Sequence, residues 1–422
     1  MPSCRGTLVR IFFVVGGCLL AFHAHAAPNL SDIQLPPGFS ISLFATDIAQ
    51  ARSMTLGANG TVFVGTRTVG RVYALVDADH DGQAEQTYII ASGLDSPNGV
   101  AFYNGALYVA EVSRIIRFDN IESRLANPPA PVTVYDALPT DQAHGWKYLR
   151  IGSDGYLYFG IGAPCNICLS DDPIYATLAR VHPDGTQFEI VAHGVRNTVG
   201  FDWSPETGNL WFTDNGRDAM GDNIPPDELN AITQPGLHYG YPYYHASIPD
   251  PIFGDLRPIS DFVLPVKELG PHVAALGMRF YTGGMFPAQY QNQIFIAEHG
   301  SMDRSSKVGY RLTLVTLDSH QNPIAYEPFA QGWLRPDQTF TGRPVDILVL
   351  NDGSMLVSDD HANSIYRITY KAPAPMSTTT FSLVAVEAVC LLFIAILILC
   401  ASNHEYCGFN DDDAESHVAP QG

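Results

Sequence analysis

The sequence predicts an all-β fold, a six-bladed β-propeller, from a repeated turn-and-strand unit. Each copy is a small-residue or Asp-Gly turn followed by a strand of alternating apolar residues. Period-two alternation closed by glycine turns is typical of antiparallel strands, and units of roughly 40–50 residues are typical of one four-stranded blade. Six copies occur, at residues 58–64, 104–111, 154–159, 208–214, 292–298 and 352–359. A pair of β-sandwiches is the alternative, but six copies of one unit favour radial repetition.

The intervals between the copies are uneven. The first copies follow one another closely, whereas the intervals around 165–195 and 215–275 are wider. We expect these wider intervals to be long loops on the binding face of the propeller, because functional residues concentrate on loops held by a rigid scaffold.

The N-terminal segment predicts a secretory signal peptide at residues 1–26. Arg5 and Arg10 precede an apolar run, and Ala24-His25-Ala26 is a small-x-small cleavage site. The mature chain is expected to begin near Ala27, with the propeller over residues 27–370.

The C-terminal segment predicts a membrane anchor. Residues 381–401 are almost unbroken apolar sequence, long enough to cross a hydrocarbon core as a transmembrane helix, with Glu387 as their one charge. Residues 371–380, rich in Pro, Ser and Thr, are expected to be a stalk, and residues 402–422 an acidic tail. The propeller is therefore expected on the extracytoplasmic (periplasmic or extracellular) side of a membrane.

Composition restricts the partners. The net charge is −20, from 23 Lys and Arg against 43 Asp and Glu. This balance argues against nucleic acid as a partner, because phosphate contacts need cations. Outside the signal, the apolar span and the tail, only Cys165 and Cys168 remain. A local disulfide that pins a loop is favoured over a catalytic dithiol or half of a zinc site, because no second cysteine pair exists.

Three segments carry residues suited to chemistry, and each adjoins a strand-like run. His144 lies in the segment 142–146, Arg196 and Asn197 end the segment 193–197, and a glycine-rich acidic turn occupies 214–217. A neutral imidazole is the side chain whose pKa suits a base near neutrality, so His144 is the candidate catalytic base. A fixed cation stabilises charge that develops on an acceptor, which is the role expected of Arg196. Meeting at one end of the propeller, these groups would form a redox site.

Further motifs resemble those of the glucose/sorbosone dehydrogenase family. They are the segments 35–39, 194–197, 212–218, 225–230 and 342–346, together with His144 before a strand. Members of that family are six-bladed propellers that depend on pyrroloquinoline quinone (PQQ), and the similarity runs from about Leu35 to Tyr370. The resemblance implies an oxidoreductase that uses PQQ and Ca²⁺ to oxidise a sugar or a sugar aldehyde or alcohol by hydride transfer, and that passes electrons to an external acceptor.

The resemblance also implies particular ligands. PQQ is a tricarboxylate, which needs converging cations. The implied cofactor contacts, besides His144, Arg196 and Asn197, are Asn98, Gly99, Arg343, Asp359 and a cation that is either Arg304 or Lys307. Calcium is implied to bind the backbone carbonyls of Gly216 and Arg217.

A second calcium site is suggested by the residues themselves. Asp77, Asp79 and Asp81 occupy positions one, three and five of a loop with glycine at six, as in a calcium loop. Tyr88 stands where such a loop has its closing glutamate, so a solvated hairpin turn is equally compatible with the pattern.

Two other classes of function stay open. A six-bladed propeller can be a calcium-dependent lactonase or esterase, in which side-chain oxygen ligands hold a metal that activates water. It can also be a non-catalytic binding module tethered to a membrane. His144 and Arg196 argue against the binding module, but the fold alone cannot choose among the three.

Overall fold

The computed structural model describes residues 29–373, and these residues form the predicted six-bladed propeller. The first three blades are antiparallel sheets whose strands follow one another from the inside outwards. Blade 1 consists of Met54–Leu56, Val62–Val64, Val72–Val76 and Gln86–Ala91. Blade 2 consists of Gly99–Tyr103, Ala106–Ala110, Ile115–Phe118 and Val132–Tyr135. Blade 3 consists of Leu149–Ile151, Leu157–Ile161, Thr177–Val181 and Glu189–His193, with Leu237–His238 added as a parallel edge strand.

The last three blades complete the ring. Blade 4 consists of Phe201–Trp203, Leu210–Asp214, Pro226–Ile232 and Lys267–Pro271. Blade 5 consists of Ala275–Phe280, Ile294–Glu298, Arg311–Leu317 and Pro323–Ala330. Blade 6 consists of Pro344–Val349, Met355–Asp359, Ser364–Tyr370 and, as its outer strand, the N-terminal Phe39–Ala45. Pairing the first strand of the propeller with the last joins the two ends of the ring, so no long sheet edge is left where they meet.

All six copies of the repeat form the second strand of a blade. Every residue of these six strands is buried. The burial follows from the architecture, because each blade packs a face against each of its two neighbours. Six hydrophobic clusters fill the six interfaces between adjacent blades.

The predicted long loops are wrong in extent. The interval 165–195 contains the two outer strands of blade 3, and the interval 215–275 contains the two outer strands of blade 4. The turns before three of these strands lack the glycine motif of the repeat, whereas Glu189–His193 follows the Asp184-Gly185 turn and was missed although that turn matches the motif. The connections that remain are 162–176, 215–225 and 233–266, and the last contains the short hairpin Tyr244–His245 and Ile248–Pro249. Five short 3-10 helices complete the described chain: Leu30–Asp32, Ile121–Arg124, Gly254–Leu256, Ile259–Asp261 and Ala288–Tyr290.

The predicted signal peptide, the membrane anchor and the acidic tail lie outside the described residues, as does most of the stalk. Within residues 29–373 no helix is both long enough and apolar enough to cross a membrane.

Candidate active site

Strand direction determines where the functional residues gather. Inner strands run away from one face of the ring, and the antiparallel second strands return to it. We call this face the connection face, because the outer strand of each blade passes there to the inner strand of the next. His144, Arg196 and Arg343 lie in such blade-to-blade connections, and Asn215 and Gly216 follow a second strand. All five line one cavity of about 580 Å³. The segments that the sequence singled out therefore meet.

His144 is held as a neutral imidazole. Its Nδ1 lies 2.8 Å from the carbonyl oxygen of Ala163. Because a carbonyl oxygen only accepts, Nδ1 carries the proton and Nε2 keeps its lone pair. Burial, and secondly the positive charge of Arg196, lowers the pKa of His144 to about 4. The side chain can therefore accept a proton at Nε2 over the whole neutral range.

Arg196 is fixed in place by the protein. Only 4% of its surface is exposed. Its Nε donates to the carbonyl oxygen of Asn166 at 2.9 Å, one terminal nitrogen donates to the Asn166 side-chain oxygen at 2.8 Å, and the other donates to the Asn215 carbonyl at 3.2 Å. Burial lowers the pKa of Arg196 despite the nearby carboxylate of Asp218. The guanidinium is thus a preorganised cation at the cavity wall.

The Cys165–Cys168 disulfide, which the sequence favoured, is present. It encloses Asn166, the residue that holds the Arg196 guanidinium. The Asn166 side-chain oxygen also accepts the backbone N–H of Asp218 at 2.9 Å, and its amide donates to the Asp218 carbonyl at 3.1 Å. The pinned loop therefore ties Arg196 to the segment that follows Asp214.

Two buried carboxylates shape the backbone below the cavity. One oxygen of Asp214 accepts the Arg196 N–H at 2.8 Å and the other accepts the Asn197 N–H at 2.6 Å. Asp227 in the same way accepts the N–H groups of Gly216 and Ala275, at 2.9 and 3.2 Å. Burial raises the pKa of Asp214 to about 7 and that of Asp227 to about 6. These acids orient the segments that carry the cations and the glycine turn.

Two arginines that the sequence reasoning missed complete the cationic lining. Arg52 is 2% exposed, and it donates to the Asn98 side-chain oxygen at 2.8 Å and to Asp360 at 3.0 Å. Arg67 lies over the ring of Trp146, with its guanidinium carbon 3.9 Å from the ring centre. Burial, together with the charge of Arg52, lowers the pKa of Arg67 to about 10. Arg52 stands just before an inner strand, as Arg343 does, and that position was the available signal.

Other predicted ligands do not reach the cavity lining. Asn98 is fully buried, and its amide is used by Arg52, Ser53 and Lys147. At Gly99 a Cβ would lie 2.7 Å from the Lys147 carbonyl, so this glycine permits the close approach of blades 2 and 3.

Asp359, Arg304 and Lys307 are also engaged elsewhere. Asp359 accepts the Tyr366 hydroxyl at 2.9 Å and two backbone N–H groups, and burial raises its pKa to about 6. Arg304 donates to the Asp222 carbonyl, and Lys307 donates to the Gln338 carbonyl at 2.9 Å. Both cations line a second, larger groove of about 1,360 Å³. Among the described residues no histidine lines that groove, so we place the chemistry in the smaller cavity, which His144 lines.

The two predicted calcium sites differ in their setting. Gly216 lines the cavity, and Asn215 and Asp227 add oxygen atoms, a hard donor set of the kind that Ca²⁺ takes. Arg217 does not line it, and its guanidinium donates to buried Asp250 at 2.5 Å. The second site, Asp77, Asp79 and Asp81, lies in the hairpin between the third and fourth strands of blade 1, on the face opposite the cavity.

Glu85, four residues after Asp81, supplies the carboxylate that the hairpin lacked in the sequence reading. The ligand atoms of Glu85, Asp77, Asp79 and Asp81 lie within 4.8 Å of one another. Oδ1 of Asp77 is buried without a hydrogen-bond partner among the described residues. In a calcium loop of the usual length the closing glutamate would fall at Tyr88. In this hairpin Glu85, which comes earlier in the chain, lies with the aspartates instead.

The cavity fits an organic polyanion. Its volume lies within the range of roughly 300–1,000 Å³ that small-molecule sites occupy. Four arginines line it, Arg52, Arg67, Arg196 and Arg343, in a protein whose net charge is −20. Trp146, also in the lining, has a buried indole N–H with no partner among the described residues. Converging guanidinium groups and an unused donor are the groups that a tricarboxylate such as PQQ requires.

Comparisons with known proteins find a matching family and two relatives that cover most of this chain. Residues 26–359 match a family described as a domain of unknown function, DUF7133. A protein of Borreliella burgdorferi, described as uncharacterized, is 33% identical over 378 residues, covering 86% of this chain and 97% of that protein. A pyrroloquinoline quinone-dependent sugar dehydrogenase of Hypocrea jecorina is 24% identical, covering 79% of this chain and 89% of that protein.

A solved structure shares the fold. The holo form of the pyranose dehydrogenase PQQ domain from Coprinopsis cinerea superposes with a TM-score of 0.67 at 17% identity, covering 80% of this chain and 97% of that one. The resemblance to PQQ-dependent sugar dehydrogenases that the motifs indicated is confirmed.

Proposed function

The chain belongs to the DUF7133 family, and we propose that it is a quinoprotein dehydrogenase that uses PQQ and Ca²⁺ to oxidise a sugar or a sugar aldehyde or alcohol. The observation that carries the proposal is the pairing, in one cavity, of a neutral histidine with four arginines. Neither group alone distinguishes an oxidoreductase from a binding propeller. Together they supply a proton acceptor and a cradle for an anionic acceptor of electrons.

The four arginines of the cavity would hold the cofactor. Arg52, Arg67, Arg196 and Arg343 would bind its carboxylates and the oxygens on which charge develops. When bound, PQQ supplies the two-electron acceptor that side chains lack. Calcium, at the Gly216 turn, would add a Lewis acid at the same corner of the cavity.

His144 moves the proton. Its Nε2 lone pair is the acceptor for the proton of a substrate hydroxyl, while the Ala163 carbonyl holds the ring in orientation through Nδ1. A bound polyanion would offset the charge of Arg196, which is one cause of the low His144 pKa. We therefore expect the pKa of His144 to rise when the cofactor binds, which strengthens the base for the reaction.

We also propose that the reaction takes place outside the cytoplasm. The sequence patterns of residues 1–26 and 381–401, which predict a signal peptide and a membrane anchor, support this proposal. The Cys165–Cys168 disulfide supports an oxidising compartment. An external electron acceptor would complete the cycle there.

The test is to add PQQ and Ca²⁺ to the full-length protein and to follow quinone absorbance and dye reduction with aldoses, sorbosone and simple alcohols. Arg67→Gln should weaken PQQ binding, whereas Arg117→Gln, whose arginine pairs with Asp119 away from the cavity, should not. If the quinone absorbance does not change at saturating PQQ, the proposed function is wrong. Hydrolysis of lactones without quinone would favour the lactonase instead.

A further inference from the structure

A histidine and two aspartates converge at the cavity without a role in the proposed reaction. Asp218 follows the second strand of blade 4, His272 lies in the connection from blade 4 to blade 5, and Asp303 follows the second strand of blade 5. All three line the cavity, and their ligand atoms lie within 4.8 Å of one another. The two carboxylates are exposed, whereas the imidazole is buried.

His272 is oriented as a metal-binding histidine is. Only 8% of its surface is exposed, and its Nε2 lies 2.9 Å from the Gly221 carbonyl oxygen. Nε2 therefore carries the proton and donates it to this carbonyl, and Nδ1 carries a lone pair. No hydrogen bond from another described group is directed at that lone pair. Metal-bound histidines donate their second ring N–H to a carbonyl or a carboxylate in this way, which fixes the tautomer. The backbone of His272 also adopts φ 59°, a conformation that L residues rarely adopt.

We propose that Asp218, His272 and Asp303 bind a divalent transition-metal cation of the Zn²⁺ type at the mouth of the cavity. The nitrogen ligand distinguishes this site from a calcium site, because Ca²⁺ takes oxygen ligands whereas imidazole suits zinc and its neighbours. It differs from the carbonyl site at Gly216 in its donor atoms and does not depend on the quinone. Three protein ligands leave a coordination position open, which an oxygen of a ligand in the cavity can fill.

The spacing requires little adjustment. Three atoms that lie within 4.8 Å of one another share a point that is at most about 2.8 Å from each. Bonds of about 2.0–2.2 Å then need the two exposed aspartate side chains to turn inwards. The Ala219 N–H donates to one Asp303 oxygen at 2.6 Å, which leaves the other oxygen for the metal.

Charge around the site permits a cation. Arg196 lies 3.7 Å from one Asp218 oxygen, a long contact that leaves lone pairs on the carboxylate. Arg196 directs its hydrogen bonds to Asn166 and Asn215 instead. The two aspartates bring two negative charges, which offset the nearby guanidinium.

The experiment measures Zn²⁺ binding to the full-length, chelator-treated protein by titration calorimetry, without PQQ, so that a failure of quinone binding leaves the result intact. Asp303→Asn and His272→Asn are compared with Asp171→Asn, a control that removes an exposed carboxylate outside the cluster. All variants keep the same cysteines, so any zinc that binds to thiols contributes equally to every titration and does not affect the difference between variants.

We expect the cluster of the wild type and of the Asp171→Asn control to bind one equivalent of zinc. The affinity for this zinc should fall by at least about tenfold in Asp303→Asn and in His272→Asn. Because the Asp303 side chain is exposed, Asp303→Asn should fold normally, and its unfolding temperature without metal checks this. Equal zinc binding by wild type and Asp303→Asn would overturn the site. Preferential binding of Ca²⁺ over Zn²⁺ would overturn the assigned class of metal.

Discussion

Replacing Arg196 with lysine keeps the charge and removes the planar fork that the site is built around. Three guanidinium nitrogens donate to Asn166 and Asn215, at 2.8 to 3.2 Å. One ammonium can satisfy about one of these acceptors in the same place, so two hydrogen bonds are lost. At about 1–2 kcal/mol each, the free energy of unfolding should fall by about 2–4 kcal/mol.

Turnover should fall further than stability alone explains. A cation aimed at developing charge contributes about 2.7 kcal/mol to the transition state, so Arg196→Lys should lose about a hundredfold in rate and should bind PQQ more weakly. Denaturant unfolding and dye reduction at saturating PQQ are measured on one preparation. Arg180→Lys is the control, because that arginine pairs with Glu189 and Asp154 on the surface, where such pairs contribute little. A variant that loses stability yet keeps the normal cofactor-saturated rate would show that Arg196 is structural only.

Three further changes test other parts of the account. His144→Ala should cut turnover by roughly two to four orders of magnitude with PQQ binding retained. Because the pKa of His144 in the folded protein, about 4, lies below the ordinary 6.5, the wild type should also lose more stability than this variant as the pH falls from 6.5 towards 4. Equal losses of stability in pH-dependent unfolding would contradict the assigned pKa. Ca²⁺ should raise the unfolding temperature by a few degrees through the 77–85 hairpin, and Asp79→Asn should remove this shift in thermal scans unless the hairpin is only a solvated turn. The full-length protein should stay in membranes through a carbonate wash and a chain that ends at Met376 should be released; full-length protein in the soluble fraction would exclude the anchor at 381–401.

The blades could be predicted because their second strands carry a strong local signal. Each second strand is buried on both faces and begins at a tight turn, so glycine and apolar residues are both required. The fourth strands are partly exposed, as Val132–Tyr135 and Glu189–His193 show, and tolerate polar residues, and the buried third strand Pro226–Ile232 carries polar residues as well. Their sequences therefore look like loops, and the extent of 165–195 and 215–275 was misjudged.

The site was predictable where a motif marked it. His144, Arg196 and Arg343 stand in recognisable segments before inner strands, and the structure brings them together. Arg52 and Arg67 have no such motif; the position of Arg52 just before an inner strand was the one local signal, and the place of Arg67 in the cavity follows from the closure of the ring. Asn98 lies behind the cavity lining, where its side-chain oxygen accepts a hydrogen bond from Arg52; a polar residue before an inner strand can face the cavity or support an arginine in this way, and the sequence does not distinguish the two.

The most direct test of the central claim is a single-turnover measurement on the full-length protein preloaded with PQQ and Ca²⁺. Aldose is mixed in without an external acceptor, and the absorbance of the oxidised quinone is followed. The proposed chemistry predicts loss of that absorbance in the wild type, and a rate at least about a hundredfold slower in His144→Ala with the same amount of quinone bound. Quinone that binds but stays oxidised with every sugar tested would contradict the claim that this cavity is the active site of a sugar dehydrogenase.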